Sequence, residues 1–158
     1  MSNDSFTEAN FFTTDEVYKL AALVNESLES VSYHFWVNTA QGQRFEVLDW
    51  ISLHFVSGHS MWLTAGEETD GIKLIEADFP SLKKRLEEEF KGAVTLESKD
   101  VSGHKFWEGA IGKAITPSLI HHEDRVLNDS IALHFEGSED SIEIFLGIEG
   151  LEVDYFEE

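Results

Sequence analysis

Two stretches of the chain spell the same short pattern, Ile-x-Leu-His-Phe: Ile51 to Phe55 within VLDWISLHF, and Ile131 to Phe135 within VLNDSIALHF. Apolar residues two apart, separated by polar ones, turn one face of an extended strand to a core and the other to water. Both stretches therefore read as strands. The likeness runs on: residues 47 to 79 continue through SMWLTAG to GIKLIEADF, and residues 126 to 156 through SIEIFLG to GLEVDYF. Each is a Ser-led strand, a Gly and a Gly-led strand. Two copies of a three-strand meander are expected, each preceded by a helix and by an aromatic pair, Phe35 with Trp36 and Phe106 with Trp107.

The first helix is announced by Thr13 and Glu16 at capping-box spacing, with Phe12 and Val17 at staple spacing. Val17, Leu20, Ala21, Val24, Leu28 and Val31 follow at three- and four-residue steps, which predicts an amphipathic helix reaching Val31. A second helix begins at Asp78 and Pro80, buries Phe79, Leu82, Leu86 and Phe90, and ends at Gly92. Segments 33–38, 44–56, 60–65, 72–77, 93–98, 105–111, 126–136, 141–147 and 150–155 read as strands between turns. Within 44–56 the apolar phase changes twice, so a bulge or bend is expected near Asp49. The fold class is α+β: mostly antiparallel sheet, with two pseudo-repeated helix-plus-β-meander halves forming one compact domain. Residues 1–11 read as a loose leader and 12–158 as the single domain, with half-repeats over 12–78 and 79–158.

Charge narrows the functional classes. The 158 residues carry 31 Asp and Glu against 11 Lys and Arg, a formal charge of -20, which disfavours direct contact with nucleic acid or an anionic membrane. Residues 73–113 are neutral, holding eight basic and eight acidic residues. After Arg125 there are ten acidic residues and no Lys or Arg, interleaved with Ile142, Ile144, Leu146, Leu151, Val153 and Tyr155. Those carboxylates belong to strands and hairpin tips, and such a surface attracts cationic partners. With no Cys, disulfides and thiolate chemistry are excluded. The amino-terminal stretch MSNDSFTEAN lacks the basic flank and apolar run of a signal peptide, so a cytoplasmic location is expected.

Catalytic motifs fail one by one. His121, His122, Glu123 and Asp124 are dense in metal-ligand types, but adjacent residues of an extended segment point opposite ways and the helical spacing of zinc hydrolases is absent. A solvated loop is expected there. No G-x-S-x-G elbow occurs, and the glycines of GHKFWEGAIGKAI lack the order of a phosphate loop. No catalytic residue, metal site or cofactor is therefore assigned, and a non-enzymatic role is favoured over an enzymatic one. The expected function is an acidic protein-binding domain that masks a basic partner, of immunity, antitoxin or nucleic-acid-mimic type. It would use Glu139, Asp140, Glu143, Glu149 and Glu152 for capture, with Trp50, Trp62 and Tyr155 as anchors. The alternative is a small-ligand protein with a pocket between the halves lined by Trp36, Trp107, His54 and His134. A divalent-metal hydrolase using His121 and His122 comes third.

Overall fold

The computed structural model describes residues 11–40, 42–65, 71–75, 79–147 and 150–157. Helix α1 (Thr14–Ala21) starts as its sequence demands: Thr13 Oγ1 accepts the Glu16 amide at 3.1 Å, and Glu16 Oε1 accepts the Thr13 amide at 2.9 Å. It ends far short of Val31. Asn25 takes a φ of 70°, outside the right-handed helical region, and strand β1 (Leu28–Asn38) follows. The helical look of Leu28 and Val31 has a specific cause. Pairing with strand β2 (Phe45–Phe55) skips Glu29, with Leu28 opposite Phe55 and Ser30 opposite His54, so two residues three apart both reach the core.

The chain continues through β3 (Ser60–Ala65), β4 (Ile72–Ile75), α2 (Phe79–Glu89), β5 (Val94–Asp100), β6 (Ile115–Ser118), β7 (His121–His122), β8 (Arg125–Val126), β9 (Ser130–Phe135), β10 (Ser141–Leu146) and β11 (Leu151–Phe156). All of the strand pairs among the described residues are antiparallel, so the fold is α+β with mostly antiparallel sheet. Five strands form one sheet in the order β4-β3-β2-β1-β5, four form a second in the order β11-β10-β9-β6, and β7-β8 is a small hairpin. One apolar core joins the large sheets: Val31, Ile51, Leu53 and Leu63 from the first, Ile131, Leu133, Ile142 and Ile144 from the second. The expected bulge lies at Asp49, where His34 faces Trp50 and Phe35 faces Leu48. Gly150 is packed there, since a Cβ on it would sit 2.6 Å from the Leu48 carbonyl oxygen.

Four expectations need correction. Residues 105–111 are successive turns rather than a strand, because Trp107 is swallowed whole by the core, its indole N–H donating to the Tyr33 hydroxyl at 2.7 Å. The segment after Pro117, read as a loop, is the hairpin β7-β8, turned by Glu123 at a φ of 60°. Phe11, assigned to the leader, is buried and bridges to Leu127. The sheets also ignore a division near residue 78, since β5 pairs with β1. Of the second helix's expected stripe, Leu82 and Leu86 are half-buried and Phe90 is exposed; the Asp78 cap lies outside the described residues.

Candidate functional site: the outer face of the second sheet

Strand β10 reads S-I-E-I-F-L, and its Ile142 and Ile144 are fully buried. Period two then turns Ser141, Glu143 and Phe145 away from the core. Register extends the pattern across the sheet. Phe156, Ser141, His134 and Thr116 form one outward row; Asp154, Glu143, Ala132 and Ser118 form the next; Glu152, Phe145 and Ser130 form the third. Glu143 thus stands directly opposite Asp154, with Glu152 beside them. Like charges in that position destabilise a sheet, and no Lys or Arg occurs in any of its four strands to offset them. Phe156, 48% exposed, and half-buried Phe145 flank the acidic row.

The residues named from sequence divide between several places. Glu139 and Glu152 are exposed, Asp140 and Glu143 are half-buried, and Glu149 lies outside the described residues. Asp140 is engaged structurally: the Tyr155 hydroxyl donates to its Oδ2 at 2.5 Å, and that hydrogen bond pushes the phenol up to about 12. Tyr155 also stacks on Phe106 with ring centres 5.8 Å apart, so it braces the sheet from the core side. Trp50 and Trp62 belong to the first sheet. Trp50 is buried there, only 8% exposed, and Trp62 stacks on His34 at 4.6 Å. The aromatics that do accompany the carboxylates, Phe145 and Phe156, and the third carboxylate, Asp154, follow from the alternation of β10 and β11 once the phase is fixed by Ile142 and Ile144.

The pocket expected between the halves does not form from its four residues. Ile51, Leu53 and Phe55 of β2 and Ile131, Leu133 and Phe135 of β9 fill the core, so His54 and His134 point outward from opposite sheets. Trp107 is inside the core, and Trp36 is paired with Leu96 on β5. A cleft of ≈ 260 Å³ opens elsewhere, lined by Leu23, Met61, Trp62, Leu74 and Ile75 together with Lys19 and His59.

The outer face of the first sheet carries a polar cluster that the sequence reading passed over. His34 is 5% exposed, its Nδ1 2.7 Å from Ser98 Oγ and its Nε2 2.9 Å from Ser52 Oγ, while His54 Nε2 lies 3.1 Å from the same Ser52 oxygen. Burial, aided by the nearby His54, pushes the His34 imidazole down to about 4. A serine between two histidines has the parts of a nucleophile and base, yet Ser52 is fully buried and no substrate carbon can reach it. The cluster is a hydrogen-bonded brace. His59 instead meets Glu26, its Nδ1 2.7 Å from Oε2, and hydrogen bonds from Ser57 and His59 lower the Glu26 carboxyl. His121 and His122 are exposed, with His122 stacked on Phe11. Among the described residues no three His, Asp or Glu side chains gather as a metal-holding group, and no helix is long and apolar enough to cross a membrane. No protein family, curated protein or solved structure matches the chain.

Proposed function

We propose that the protein is a non-enzymatic docking domain whose acidic sheet face masks a basic partner protein in the cytoplasm, as an immunity protein, an antitoxin or a nucleic-acid mimic would. The observation that carries this reading is Glu143 placed directly across from Asp154, with Glu152 adjacent and no cation in the four strands of that sheet. A sheet that tolerates such repulsion gains when a cationic surface covers it. Phe145 and Phe156 supply apolar area beside the charge, as protein interfaces require. We also infer that the meanders β2-β3-β4 and β9-β10-β11 are copies of one unit. Their registers support this: His54 faces Ser60 and Leu53 faces Met61, as His134 faces Ser141 and Leu133 faces Ile142. One copy then keeps a braced His and Trp face, the other an acidic one.

Retention of a basic protein from the producing cell at low and at high salt tests the reading. The variant Glu143→Gln, Glu152→Gln, Asp154→Asn should lose the partner that the unmodified chain retains at low salt. Glu87→Gln, Glu88→Gln, Glu89→Gln on α2 removes the same charge and should retain it. Equal loss in both variants would reduce the acidity to a non-specific role, while retention by both would dismiss the face.

A further inference from the structure

The edges of the two large sheets are treated unequally. On β4 the Ile72 amide donates to the Asn128 carbonyl at 2.7 Å and the Leu74 amide to Glu16 Oε2 at 2.9 Å, so that edge is occupied. On β6 the Ile115 amide donates to the Glu26 carbonyl at 2.9 Å, and the next outward position is Pro117, which has no amide to offer. On β5 the outward residues Val94 and Leu96 are 1% and 0% exposed, where α2 packs on the strand, while Ser98 and Asp100 farther along the same edge are exposed. On β11, which β2 touches, no backbone hydrogen bond from another element among the described residues reaches Val153 or Tyr155 on the side away from β10.

Hydrogen-bond alternation shows which of its groups are free. Gly147 donates to the Gly150 carbonyl at 2.7 Å, and Leu146 donates to the Asp129 carbonyl at 3.1 Å. Odd residues of β10 therefore bond to β11 and even ones to β9, which commits Glu152, Asp154 and Phe156 to the ladder and turns the amides and carbonyls of Val153 and Tyr155 outward. Among the described residues the Tyr155 amide is met only by the carboxylate of its own neighbour, Asp154, at 3.1 Å, a contact that an incoming carbonyl can replace.

We propose that β11 is a strand-addition site for an extended cationic segment with Lys or Arg at alternate positions. This rests on the docking function above and specifies how the partner binds. Strand pairing supplies main-chain hydrogen bonds, and alternation supplies selectivity: every second side chain of the added strand faces Glu152 and Asp154, with Glu143 one strand farther in, and the others lie beside Val153 and Tyr155. The same carboxylates repel a second copy of β11, so the edge avoids self-association while remaining open to cations.

The test uses two peptides of equal charge, KVKVKVK and KPKPKPK, titrated into the full-length chain with amide exchange read at Val153 and Tyr155. KVKVKVK should bind at least tenfold more tightly and slow exchange at both amides, because alternate prolines cannot pair as a strand. Val153→Pro removes an amide that β10 does not use and should weaken KVKVKVK to the level of KPKPKPK. Equal binding of both peptides, unchanged exchange, or full binding by Val153→Pro would overturn strand addition while leaving charge-dependent docking in place. Failure of both peptides to bind even at low salt would overturn both.

Discussion

At the scale of single residues, the buried His34 and the half-buried Asp49 oppose each other. His34 is pushed down to about 4 by burial and by His54, whereas Asp49, held in the bulge, is raised by burial to about 6. As pH falls below 6.5 the unfolded chain protonates His34 before the folded one does, so stability is lost from there down to about 4. Asp49 acts in the reverse sense: the unfolded carboxyl ionises near 3.8 and the folded one near 6, so stability is lost as pH rises between them. Their slopes cancel across the shared window. Asp49→Asn should therefore steepen the rise of stability with pH between pH 4 and 6, and His34→Gln should tilt it the other way, each by up to about 1.4 kcal/mol per pH unit. Urea midpoints at a series of pH values check this, and two variants that keep the parent profile would contradict it. Neither residue is conspicuous in the sequence. Asp49 is signalled only by the phase change around it, and His34 by nothing, because its partners Ser52 and Ser98 come from two other strands.

Among elements, α1 and β4 share one carboxylate. Glu16 Oε1 completes the capping box and Oε2 holds the Leu74 amide, so one side chain both starts a helix and closes a sheet edge. Glu16→Ala should cost roughly 2 to 3 kcal/mol, the sum of a cap and a charged hydrogen bond. Hydrogen exchange should quicken at Leu74 while Ile72, held by Asn128, stays protected; unchanged protection at Leu74 would contradict the shared role. The capping box was readable in the sequence because its partners are three residues apart. The end of the helix was not, since the bulge at Glu29 gives Leu28 and Val31 a helical spacing in a strand. Strand β6 escaped for a related reason: Pro117 reads as a break until its position on an edge is known. For the candidate site, alternation alone places Tyr155 with Leu151 and Val153 on the core side, and Glu152 with Asp154 outside. Which carboxylate meets which across the strands required the register.

Over the whole molecule, the class of fold and the asymmetry of charge were legible, and the division of strands between sheets was not. Two similar strings predicted two meanders, which exist, but the return of β5 to β1 depends on contacts too distant in sequence to leave a pattern. The charge has its own consequence at this scale. With -20 overall and the carboxylates of β10 and β11 placed on one sheet face, the proposed capture of a cationic partner should be steered at long range. Steering is a rate effect, and salt screens it over about 10 Å at 0.1 M. The decisive measurement is the stopped-flow association rate with the proposed basic partner as ionic strength rises from about 0.05 to 0.5 M. The rate should fall about tenfold or more for the unmodified chain, and Glu143→Gln, Glu152→Gln, Asp154→Asn should associate more slowly with a nearly flat response. A flat response in the unmodified chain, or the same slope in the variant, would contradict the proposed steering.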